Sequence, residues 1–177
     1  MHTMLRSLAF AAFAAAAVIA TPAPEAAAQQ QTVAPYDLGQ LSPDVRDAVE
    51  TARHAQQLAL QAAARSQGDQ AGTIRFTGVG GDSYMGECAR CDSDIPQRHG
   101  YGFIYWNDGE FYVGEHRQGD NGGVKNGFGV YVFVDGRRYE GRYSDDEQNG
   151  YGVYWDPQGR IIAAGYWENG RVTRPMQ

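Results

Sequence analysis

The sequence predicts a mainly β protein, an antiparallel sheet of stacked β-hairpins preceded by one amphipathic α-helix. One short phrase recurs in register: its first word is Tyr-x-Gly, at Tyr84 and Gly86, Tyr112 and Gly114, Tyr139 and Gly141. Its second word is Gly-aromatic-Gly, at Gly100-Tyr101-Gly102, Gly127-Phe128-Gly129 and Gly150-Tyr151-Gly152. The step from a second word to the next first word holds at 12 residues (100 to 112, 127 to 139), while the step inside a unit runs 16, 15 and 11. Strands of fixed length with one insertion-tolerant loop per unit are the behaviour of a stacked repeat. The hairpin reading comes from runs such as Phe103-Ile104-Tyr105-Trp106 and Val130-Tyr131-Val132-Phe133, each followed by a turn that closes on Gly109, Gly136 or Gly159.

In chain order, residues 1–28 read as a secretory signal peptide. Arg6 is the positive start, the apolar run from Leu8 to Ala20 is too short for a comfortable membrane span, and Ala26-Ala27-Ala28 offers a cleavage site before Gln29. Export places the mature chain in the periplasm or outside the cell, in an oxidising compartment. Residues 29–41 are polar, contain proline and show no period, which reads as a disordered linker. Residues 42–67 read as a helix: Ser42 at the N-cap, Pro43 at N1, Asp44 in the first turn and Gly68 as the stop. Val45, Ala48, Val49, Ala52, Ala59 and Ala63 fall on one face. That face buries little area alone, so the helix packs on the repeats, pairs with a second copy, or stands as a spacer. Residues 72–170 form the repeat domain, opened by a half unit at 72–83 suited to cap a stack. Residues 171–177 read as a tail.

The chain of 177 residues carries a net charge of −6, and from Gly72 onward acids outnumber bases 15 to 11. It therefore has no overall basic field for nucleic acid, and membrane association has no support from charge.

Tyr-x-Gly, a polar loop, Gly-aromatic-Gly, a strand and Asp-Gly in three consecutive units resemble the MORN (membrane occupation and recognition nexus) repeat over about residues 72–170. The resemblance implies an open, elongated sheet of MORN-type hairpins, with binding and scaffolding rather than chemistry as its role. The first two units depart from it by loop insertions, and Cys88 and His116 stand where the family prefers a ring, as Tyr143 and Trp167 do.

No G-x-S-x-G, H-E-x-x-H or P-loop occurs, so no catalytic residue, cofactor or metal is expected. Cys88 and Cys91 read first as a structural disulfide pinning an inserted loop. A redox dithiol is the alternative, though Asp92, Asp94 and Pro96 make the local field acidic and disfavour a following helix. Metal binding by Cys88, Cys91, His99 and His116 is disfavoured by strand spacing. Asp92, Asp94, Asp120, Asp145, Asp146 and Glu147 share one loop edge, either a solvated rim or a cation edge. Alternation puts Tyr101, Phe103 and Tyr105 on one side of the sheet and Ile104 and Trp106 on the other. The expected binding face is the aromatic one of Tyr101, Tyr105, Phe128, Tyr151 and Trp155, holding a protein partner. An exported redox or metal protein using Cys88 and Cys91 is the alternative, and an envelope lipid binder a further one.

Overall fold

The structure is a computed structural model that describes residues 36–78, 81–94, 96–119 and 122–176. The signal-peptide reading and residues 29–35 of the linker lie outside these. Each Tyr-x-Gly word and each Gly-aromatic-Gly word lies within a strand. The strands are Thr73–Thr77 (β1), Ser83–Ala89 (β2), Gln97–Tyr105 (β3), Phe111–Arg117 (β4), Val124–Val132 (β5), Arg138–Ser144 (β6), Glu147–Trp155 (β7), Ile161–Glu168 (β8) and Arg171–Pro175 (β9). They form one sheet in sequence order, every neighbour antiparallel.

The two edges across strand ends differ. On one, tight turns join β3–β4, β5–β6 and β7–β8. In each, the closing glycine N–H donates to the first turn carbonyl: Gly109 to Trp106 at 3.0 Å, Gly136 to Phe133 at 2.9 Å, Gly159 to Asp156 at 3.0 Å. Asp108 and Asp135 carboxylates each accept the N–H two residues on, at 3.0 Å, the local bond that favours Asp in turns. The other edge carries the loops of variable length, as the uneven step inside each unit requires.

Register sorts the side chains into rows. Met85, Phe103, Val113, Val130, Glu140, Val153 and Ala164 pair in succession across the sheet and are all buried on one face. The adjacent row on the opposite face is Tyr84, Ile104, Tyr112, Tyr131, Tyr139, Tyr154 and Ala163. Next along the strands, Gly86, Gly102, Gly114, Gly129, Gly141, Gly152 and Gly165 pair with one another.

The helix Pro43–Gln67 (α1) covers the first face. Val45 and Val49 near its start pack with Val153, Trp155 and Ala164 of β7 and β8. Ala59 and Ala63 near its end pack with Met85, Phe103, Phe111 and Val113 of β2 to β4. A helix of 25 residues is about 37 Å long, and nine strands spaced by about 4.8 Å span roughly 38 Å. One helix therefore reaches across almost the whole stack. Its alanines let it approach closely, and the sheet supplies the bulk (Phe103, Phe111, Trp155), so large and small surfaces interdigitate. Of the three readings for the helix, docking on the repeats is the one observed.

Two segment assignments are corrected. Tyr36 to Leu41 is no linker: Leu38–Gln40 is a 3-10 turn capped by the Asp37 carboxylate, which accepts the Gly39 N–H at 2.8 Å, and Leu41 is buried with Val45 and Trp155. The tail is a strand: β9 pairs with β8, and the Met176 sulfur accepts the Ser42 N–H at the helix start. In both cases a few apolar residues in a polar stretch find a hydrophobic site that local composition does not reveal.

Candidate binding face

The helix leaves the second face open, and two aromatic systems lie on it. The inner one is a ladder. Tyr84, His116, Tyr112, Tyr143, Tyr139 and Trp167 meet edge to face in that order, with centroids 5.2–5.4 Å apart, a geometry that matches ring edges to ring faces. The Tyr of each Tyr-x-Gly word lies flat over a glycine pair: a Cβ on Gly129 would fall 2.5 Å from the Tyr112 hydroxyl oxygen and 2.6 Å from its ring carbons. The hydroxyl then reaches a backbone carbonyl three residues on. Tyr84 donates to Glu87 at 2.5 Å, Tyr112 to Glu115 at 2.9 Å and Tyr139 to Arg142 at 3.3 Å. Burial pushes the hydroxyls of Tyr84, Tyr112, Tyr139 and Tyr143 above the usual phenol range. His116 is 4% exposed, and burial, with the nearby Arg98 charge, pulls its pKa down to about 3. The ladder is a second core.

The outer system is a stripe of half-buried rings towards the turn edge. Trp106 lies 5.4 Å from Tyr131, Tyr131 lies 4.6 Å from Phe133, and Phe133 lies 5.3 Å from Tyr154. Cations stand over it: Lys125 Nζ is 5.5 Å from both Trp106 and Tyr131, and the Arg137 guanidinium is 5.7 Å from Phe133 and 5.6 Å from Tyr154. The Tyr131 hydroxyl donates to the Glu110 carboxylate. The exposed large aliphatic residues among those described, Val134 and Ile162, lie at the same edge. A continuous, partly exposed band of rings is unlike scattered surface apolar residues and has the character of a recognition surface.

The expected binding residues lie elsewhere. Tyr101, Tyr105, Phe128 and Tyr151 are half-buried on the helix-covered face, and Trp155 is 1% exposed beneath Leu41 and Val45. Trp155 is core, because the row it belongs to faces α1. Trp106, Tyr131, Phe133 and Tyr154 of the open stripe were not among the expected binding residues. The signal available was the chemistry of the two rows: the Met85 row carries almost no hydroxyl and suits an Ala-rich cover, whereas the Tyr row would strand hydroxyls under one.

Cys88 and Cys91 are joined as a disulfide with Cα atoms 5.4 Å apart, at the end of β2 rather than in the first turn of a helix. Of the acidic edge, Asp145 pairs with Arg117 and Asp146 with Lys125 at 3.3 Å, Asp92 and Asp94 are exposed, Glu147 opens β7, and Asp120 is outside the described residues. Among the described residues no group of three His, Cys, Asp or Glu side chains is placed to hold one metal ion.

The family model for the MORN repeat matches residues 97–111, 121–137 and 139–159. Three segments of the sheet's central strands, within residues 97–159, match the MORN repeat. The matched segments run from β3 to the turn after β7 and hold Gly102, Gly129, Gly141 and Gly152 of the paired glycine row and Tyr139 and Tyr143 of the ladder. Searched against curated proteins, the chain finds no match. MORN repeats generally serve as protein- or lipid-binding modules.

Proposed function

We propose that this chain is an exported, non-catalytic MORN-repeat module that holds a protein partner on its open face, through Trp106, Tyr131, Phe133 and Tyr154. The observation that carries the reading is the continuity of that ring stripe on the face α1 leaves bare. Rings of this kind contribute large apolar contact at low entropic cost, and Trp and Tyr most often dominate interface energies. Lys125 and Arg137 beside the rings are each already paired, with Asp146 and Asp135, so the partner segment is held chiefly by apolar contact with the rings. Export rests on the signal-like N-terminal sequence, and a mature protein isolated from the envelope should begin at Gln29.

The test is capture of partner from the organism's envelope extract by the wild type and by Trp106→Ala and Tyr154→Ala, each first shown to be folded. Each substitution should weaken capture by about 1 kcal/mol or more, the scale of a hot spot. Undiminished capture by both would remove the open face as the site.

A further inference from the structure

The third repeat lacks an internal carboxylate that the first two possess. Each Tyr-x-Gly strand is bulged just after its glycine, between Gly86 and Cys88, Gly114 and His116, and Gly141 and Tyr143. The bulge residue of the first is Glu87, whose Oε2 accepts the Tyr101 N–H at 2.9 Å. In the second it is Glu115, whose Oε1 accepts the Phe128 N–H at 3.0 Å. Each of these N–H groups belongs to the ring residue of a Gly-aromatic-Gly word. In the third unit the bulge residue is Arg142, a side chain with donors and no acceptor. Tyr151, the third ring residue, has no carboxylate above its N–H from that position.

A groove of about 500 Å³ opens there. Phe128, Tyr151 and Tyr166 line it, the two tyrosines edge to face at 5.1 Å. Arg142 lies on its sheet side, and Asp44 and Asp47 of α1 on the other. Among the described residues none of these three charged side chains takes part in an ion pair.

We propose that this groove binds a short zwitterionic peptide, its carboxylate held by Arg142 and the Tyr151 N–H and its ammonium by Asp44 and Asp47. The Arg142 methylenes lie over Gly150, where Glu87 and Glu115 lie over Gly100 and Gly127, so the ligand's carboxylate enters from the groove and pairs with the guanidinium in a charge-assisted way. The opposing walls decide the rest of the ligand. A group bearing only a carboxylate would face two aspartates, and one bearing only an ammonium would face Arg142. A molecule with both ends charged pairs with each wall. Its apolar middle lies on the rings, and an ammonium at the far end gains from their π-faces. A tripeptide spans about 10 Å, and the volume lies within the range of small-ligand sites. The site is on the helix-covered face, away from the open stripe, and is independent of the partner proposed there.

The experiment is an amide NMR titration of the full chain as exported, with trialanine as probe. Trialanine should give saturable shifts at Tyr151 and Tyr166. Trialaninamide, which lacks the carboxylate, and N-acetyl-trialanine, which lacks the ammonium, should each bind about tenfold or more weakly, the loss of one charge-assisted pair. Arg142→Glu installs the carboxylate of the other two repeats. It should remain folded and lose trialanine while leaving partner capture on the open face unchanged. Asp44→Asn with Asp47→Asn should lower trialanine affinity to that of the acetylated form. No saturable shift with trialanine at concentrations on the order of 10 mM, equal binding of the capped forms, or wild-type affinity in Arg142→Glu would each overturn the proposal.

Discussion

His116 shows how much one position in a repeat can change. The equivalent residues Tyr143 and Trp167 are rings without a basic nitrogen, whereas His116 places two ring nitrogens between Tyr84 and Tyr112. Arg98, Lys125 and Asp146 supply the nearby charge, and the two cations oppose its protonation. Its pKa falls from 6.5 in the open chain to about 3 in the fold. A depressed pKa means that the neutral form is the folded one, so the stability it contributes is complete above pH 6.5. That stability is lost as pH falls from 6.5 through about 3. Denaturant unfolding across this window should show the decline, and His116→Phe should flatten that share of it. An unchanged slope would mean that His116 titrates freely in the folded protein. The glycine rows make a second prediction at this scale. Gly129→Ala drives a Cβ against the Tyr112 ring and should cost on the order of 3 kcal/mol, as overpacking does. Gly122 has nothing within 4 Å but a φ of +92°, so alanine there should cost only the roughly 1 kcal/mol of a left-handed backbone, measured in the same experiment.

Among the elements, α1 is held by small apolar contacts and by one buried charge cluster. Glu140 is fully buried, accepts from Arg53 Nε at 2.8 Å, and also pairs with Arg138, itself 3% exposed beneath the Tyr36 ring. Removing one member of such a cluster strands another. Glu140→Leu should cost about 3–5 kcal/mol because Arg138 is left buried without its counter-charge. Arg53→Met should cost much less, about 1 kcal/mol, since Glu140 keeps Arg138. Similar losses for the two would mean that the helix, rather than the sheet, supplies the counter-charge that matters. This cluster was not legible in the sequence: Arg53 and Glu140 are 87 residues apart, and Glu140 stands at the variable position of a Tyr-x-Gly word, where the other two units carry Met85 and Val113. What was legible is whatever repeats. The turn glycines, the Tyr-x-Gly words and the strand parity all follow from spacing, and the helix from Ser42, Pro43 and its alanine face. The face that the helix covers was not legible, because parity divides side chains into two sets without naming the inner one. That is why Trp155 was expected at the surface and is core, and why Trp106 was passed over.

At the scale of the whole molecule, the repeat domain has two faces with different tasks. One is covered by a helix about as long as the sheet is wide, and the other carries its own core as a ring ladder and leaves a stripe of rings beside it. The Trp155→Ala variant separates these tasks: it should lower stability by about 3–5 kcal/mol, as for a large buried ring, with partner affinity unchanged in the molecules that remain folded. The measurement that bears most directly on the division is an amide hydrogen-exchange footprint of the captured partner on the full chain. Slowed exchange should concentrate at the turn ends of β3, β5 and β7, around Trp106, Tyr131, Phe133 and Tyr154, with α1 unchanged. Protection confined to α1, or to the loops between β2 and β3, β4 and β5, and β6 and β7, would contradict the account and make the open face a core alone.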